Sequence, residues 1–208
     1  MPSFETILIV TLAGLALSAT PGPSMIYVLS RSVGQNVWAG FASSIGLALG
    51  GVILAIFSAL GLAIAIKQST LAYQMISLFG GCYLIYLGAK MILDAGREDL
   101  RTYSVGKESF FRILYQGVWV EVLNPKTILF FVAFLPQFID PANDNATSHM
   151  LILGMLVPLT AIPSDIVVSL AGGTLAAYLA RNKTTGRYLG YLSGLVLIGL
   201  GIRIFLLL

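Results

Sequence analysis

Val120-Glu-Val-Leu-Asn-Pro-Lys-Thr-Ile-Leu-Phe-Phe-Val-Ala-Phe134 sets an acid, an amide, a proline and a lysine inside a run otherwise apolar enough to cross a bilayer. A charged side chain near the bilayer centre costs about 2.5–3.5 kcal/mol on insertion scales, so Glu121 and Lys126 are expected to face protein or water. Pro125 has no amide hydrogen and its ring collides with the carbonyl four residues back, that of Glu121. The helix is therefore expected to bend or break where the charges sit. A broken, charged helix inside a membrane points to a substrate or ion site.

The rest of the chain makes a membrane the solvent. Of 208 residues, 57% are hydrophobic and 10% charged, and the mean hydropathy is +0.90, far from the composition of a soluble domain. At roughly 20 apolar residues per crossing, the chain has room for about six helices, and the fold class expected is all-α and integral to the membrane. Little is left for a soluble catalytic domain. The net charge of +3 comes from basic residues at helix ends, where a topology signal explains them better than an anionic partner does. Nucleic acid is not an expected partner. One cysteine, Cys82, and one histidine, His149, exclude disulfides within the chain, thiol relays and histidine-built metal sites, so neither metal nor cofactor is called for. The N-terminal apolar run has no basic region before it and reads as a retained first span.

The expected spans are Glu5 to Ser30, Trp38 to Ile66, Leu71 to about Leu93, Phe110 to about Phe138, His149 to about Ala180, and Tyr188 to Leu208. Thr20-Pro-Gly-Pro-Ser24 interrupts the first: Pro21 and Pro23 are expected to free the carbonyls of Leu17 and Ala19, and Gly22 leaves room for a close approach. The second carries Gly46-x-x-x-Gly50-Gly51, read as helix packing. Lys67-Gln-Ser is expected to turn tightly into the third, and Asp140 to Ser148 is a turn-rich link. The charged stretch Asp94–Arg112 is read as a solvated loop. Asp165 is the only acid in the apolar interior of the fifth span, which also holds Pro158 and Pro163.

Basic residues in alternate connections number nine against one: Arg31, five from Lys90 to Arg112 and three from Arg181 to Arg187, opposed by Lys67. By the positive-inside rule the 94–112 loop is cytoplasmic, and six spans put both termini outside. Spans three and six superpose in sequence at a spacing of 113, pairing Gly81 with Gly194, Gly88 with Gly201 and Lys90 with Arg203, while Pro21 falls against Pro125 at a spacing of 104. The organisation expected is one transporter domain, 1–208, of two halves, about 1–93 and 110–208. Because three is odd, these halves have opposite orientations, the inverted-repeat plan in which interrupted helices mark the site. Here those are spans one and four.

Thr20-Pro-Gly-Pro23, Asn124-Pro-Lys-Thr127, Phe130-Phe131, Phe134-Leu-Pro-Gln-Phe138 and Gly88 together resemble the lysine-exporter and homoserine/threonine-exporter (LysE/RhtB) family, over the whole length. That resemblance implies a multi-pass protein of the bacterial inner membrane that exports amino acids or close derivatives, driven by the proton gradient. Carried over by position, its elements are Pro21, Gly22 and Pro23, then Asn124, Pro125 and Lys126, and the span-five acid Asp165. A zwitterionic substrate needs a partner at each end. Lys126 or helix N-termini freed at the breaks are candidates for its carboxylate, with Glu121, Asp165 and freed carbonyls for its ammonium. For the coupling proton Asp165 stands first and Glu121 second, because burial disfavours the charged carboxylate. A permanent pairing of Glu121 with Lys126 is the structural alternative.

An intramembrane enzyme is excluded by the missing residues: no HExxH, no intramembrane histidine, no second intramembrane aspartate, no second cysteine. A passive channel or a structural membrane partner remains the alternative to a coupled exporter. The glycine stripes fit packing within the chain and also a homodimer.

Overall fold

In a computed structural model the chain is described at residues 1–20, 22–68, 70–94, 106–140, 145–181 and 183–207. Pro21, Ser69, most of the expected 94–112 loop, the centre of the Asp140–Ser148 link and Asn182 in the basic Arg181–Arg187 turn lie outside the described residues. Among the described residues the structure is wholly helical. In chain order it has α1 (Phe4–Ala19), α2 (Pro23–Gly34), α3 (Val37–Gln68), α4 (Thr70–Asp94), α5 (Phe110–Val122), α6 (Pro125–Ala133), a 3-10 turn (Leu135–Phe138), α7 (Ala146–Arg181) and α8 (Lys183–Leu207).

Two stretches are by themselves long and apolar enough to span a bilayer, Val37–Gly61 and Ala146–Gly172. Two further candidates are bent pairs, α1 with α2 at 52° and α5 with the segment Pro125–Phe138 at 48°. The count of candidate spans among the described residues is therefore two, or four with each bent pair taken as one.

The second break has the local chemistry expected of it. Pro125 stands at the start of α6, where a missing amide hydrogen costs nothing. Asn124 caps the helix, its Oδ1 accepting from the Lys126 amide at 3.0 Å. The carbonyl of Glu121, which proline cannot serve, accepts instead from the Asn124 amide at 3.0 Å. The first break likewise starts α2 on a proline, Pro23, after an extended Gly22. Pro158 and Pro163, by contrast, lie inside a continuous α7.

Close helix contacts are made where side chains are missing. A Cβ on Gly46 would strike the Leu114 carbonyl, and one on Gly117 would come within 2.9 Å of the Ser43 carbonyl, so α3 and α5 meet backbone to backbone. Gly51 sits against Pro158, joining α3 to α7. The Gly46–Gly51 cluster thus serves packing, as its spacing suggested. Gly88 faces the Gly194 carbonyl and Gly201 the Gly81 carbonyl, joining α4 to α8. The main apolar core gathers Phe130, Phe131 and Phe134 of the α6 region with Leu84, Met150, Leu153 and Leu197. Its rings stack stepwise, Phe130 on Phe134 at 4.6 Å and Phe134 on Phe138 at 5.0 Å. This core fixes α6 firmly and leaves the polar residues at its start to face α1, α2 and α7.

Candidate functional site

Both helix breaks open onto one cavity of about 60 Å³. Its polar lining includes Ser24, Glu121, Asn124, Lys126, Thr127 and Asp165, and its apolar walls include Leu17, Met25, Leu47 and Val157. Of the candidates from sequence, Gly22, Asn124, Lys126, Glu121 and Asp165 line this space. Pro23 and Pro125 do not; each is the exposed first residue of its helix. Pro21 lies outside the described residues.

Lys126 closes the first break. An α-helix ends with carbonyls that have no partner inside the helix, and Pro21 removes the amide that would otherwise reach Leu17. The Lys126 ammonium donates to the Leu17 carbonyl at 2.7 Å and to the Thr20 carbonyl at 3.1 Å. A cation there also meets the negative end of the α1 dipole. Neighbouring carbonyls are served by hydroxyls: Thr20 Oγ1 donates to Ala16 at 2.5 Å and Ser164 Oγ to Ser18 at 3.3 Å. Gly22 passes beneath the lysine, since a Cβ built there would lie 3.6 Å from Lys126 Nζ. That is an ordinary contact distance, so Lys126 alone does not require a glycine at this position.

Glu121 is held by hydroxyl donors. Thr127 Oγ1 donates to its Oε1 at 2.8 Å, Ser24 Oγ donates to its Oε2, and Asn124 Nδ2 donates to Ser24 Oγ at 2.8 Å. This network ties the start of α2 to the break between α5 and α6. Gly50 makes room for it, because a Cβ there would come within 2.7 Å of Glu121 Cβ. Sequence reading gave Ser24 and Thr127 no role, although each closes the stretch quoted for its break.

Asp165 projects from α7 into the same cavity and makes no hydrogen bond or ion pair among the described residues. The two acids differ in kind. Glu121 is braced by two donors, whereas Asp165 faces the cavity without one among the described residues.

Comparison with known proteins follows the same lines. Residues 15–207 match the family model described as LysE type translocator. The chain belongs to the LysE type translocator family. This translocator is 28% identical over 184 residues to a leucine efflux protein of Enterobacter sp. (strain 638), covering 88% of this chain and 87% of that one. A leucine efflux protein of Salmonella typhimurium matches to the same extent. An uncharacterized membrane protein of Pseudomonas aeruginosa is 27% identical over 188 residues, again covering 88% of this translocator and 87% of its relative. No solved structure matches.

Proposed function

We propose that this translocator exports amino acids with apolar side chains from the cytoplasm across the bacterial inner membrane, in exchange for protons. The observation that carries this reading is the meeting of the two helix breaks on a cavity that joins a cation, two carboxylates and apolar walls. The substrate ammonium pairs with Asp165. The carboxylate is met by Lys126 and by the amides at the starts of α2 and α6, the positive ends of their dipoles. Leu17, Met25, Leu47 and Val157 receive the side chain, which favours leucine and its like over charged amino acids. The two leucine efflux relatives support the same class.

Export by antiport requires that substrate and proton compete for one group, and Asp165 is the acid without a fixed donor among the described residues. A six-span inverted repeat fits this reading. The contact of Gly88 with Gly194 and that of Gly201 with Gly81 exchange into one another under the 113-residue repeat, as expected of a two-fold axis between α4 and α8.

Flux in proteoliposomes tests the proposal. With purified protein, leucine is expected to move against its gradient when an opposing pH gradient is imposed, and lysine and aspartate are not. Leucine flux that only ever runs down its own gradient, whatever the pH difference, makes the protein a passive channel and refutes the antiport reading.

A further inference from the structure

The last turn of α1 ends in a cup of carbonyls, and the chain fills it with an ammonium of its own. Leu17, Ser18 and Thr20 line the cavity. Two carbonyls of this turn are met by hydroxyls, that of Ala16 by Thr20 Oγ1 at 2.5 Å and that of Ser18 by Ser164 Oγ at 3.3 Å. The Leu17 and Thr20 carbonyls are left to a cation, the Lys126 ammonium, which donates to them at 2.7 and 3.1 Å. Paired carbonyls at the negative end of a helix dipole suit any small group that carries positive charge and N–H donors. Lys126 shows that a primary ammonium fits.

Lys126 is not bound to that place by its backbone. It is the second residue of α6, and its ammonium rides on a flexible four-carbon stem. A carboxylate received at the start of α6, as the proposed function has it, lies beside the root of that stem. Turning from the cup to the carboxylate exchanges neutral acceptors for a charged one, which makes the stronger bonds. The same move leaves the Leu17 and Thr20 carbonyls short of donors, and buried acceptors without partners are costly. A zwitterion meets both needs at once: its carboxylate draws the lysine and its own ammonium takes the vacated carbonyls. With two N–H groups given to those carbonyls, the third of the substrate ammonium is left for Asp165 in the same cavity. An amine without a carboxylate would strand the lysine, and an acid without an ammonium would strand the carbonyls.

We propose that the Leu17 and Thr20 carbonyls form the subsite for a primary ammonium group, that of the translocated amino acid. Lys126 is its tethered stand-in, holding the subsite in the empty protein and yielding it to substrate. The proposal rests on the reading of the cavity as the amino-acid site, and it gives the reason that both charges of the substrate are needed together.

The test replaces the lysine's ammonium with a free one. Lys126→Ala is purified in micelles, and its melting temperature is followed in methylammonium chloride and in tetramethylammonium chloride, which has the charge but no N–H. Methylammonium is expected to raise it saturably, by roughly 3–6 °C at ten times its dissociation constant, and tetramethylammonium is not. The unsubstituted protein should not respond to methylammonium, because its subsite is taken. Lys126→Ser is carried through the same series and keeps the test open if Lys126→Ala does not fold. Equal responses to the two salts, no response in the variants, or a response as large in the unsubstituted protein overturns the proposal. Leucine added to the unsubstituted protein examines the export reading separately. Methylammonium rescue in a protein whose melting temperature ignores leucine rejects that reading and leaves a primary-ammonium site, whereas leucine binding without methylammonium rescue rejects the subsite alone.

Discussion

Lys126 is where a single side chain has most to answer for. Its ammonium serves two carbonyls that the Pro-Gly-Pro break leaves without amides, so part of its work is structural before any substrate arrives. Lys126→Met should therefore destabilise the empty protein. Leaving buried acceptors short of a donor costs about 1–3 kcal/mol per group, which should appear as a lower melting temperature in detergent without substrate. A lysine that acted only as a substrate ligand would leave that melting temperature untouched and change leucine affinity alone. The sequence announced the break but not its repair. Proline spacing pointed to the Leu17 carbonyl as orphaned, whereas the group that reaches it lies 109 positions away, and only the fold brings the two together. Ser24 and Thr127 were hidden for a related reason. Hydroxyls in a membrane helix commonly bond to their own backbone, as Ser43 does to Ala39, so nothing in their spacing marks the two that bind Glu121.

Elements, by contrast, were well announced. Among the described residues hydropathy marked the helical stretches, because few polar residues interrupt each apolar run, although α8 begins at Lys183, ahead of the expected Tyr188, and Pro125 and Pro23 each begin a new helix as their chemistry requires. What periodicity left open is which glycine faces which helix, since small residues suit any close neighbour. The structure separates them. A Cβ on Gly88 would lie 2.5 Å from the Gly194 carbonyl, while one on Gly199 of the same helix pair would meet nothing within 4 Å. Gly88→Val is thus expected to push α4 from α8 and to cost about 1–3 kcal/mol, the usual penalty of overpacking. Gly199→Ala should be neutral or stabilising by about 0.5–1 kcal/mol through helix propensity. Unfolding in a denaturant series in micelles measures both; equal effects of the two changes would refute this division between packed and exposed glycines.

For the whole molecule, the arrangement surrounds the cavity with one packed framework. The phenylalanine core and the glycine contacts lock α3, α5, α6 and α7 around the cavity, and α2 joins them through Val28 and Leu29 against Leu47 and Val168 and through Ser32, whose Oγ donates to the Ser169 carbonyl at 2.6 Å. An exporter needs a binding site framed this firmly. It needs in addition one group at which substrate and proton exclude each other. Glu121 is engaged by Ser24 and Thr127, so the proposed function gives that exchange to Asp165. The most direct measurement is leucine flux through reconstituted Asp165→Asn. The account predicts that this variant inserts and folds as the parent does, exchanges labelled for unlabelled leucine only with lowered affinity because an amide replaces the carboxylate that pairs with the ammonium, and loses uphill transport driven by a pH gradient. Uphill transport by Asp165→Asn with the parent's pH dependence would contradict it.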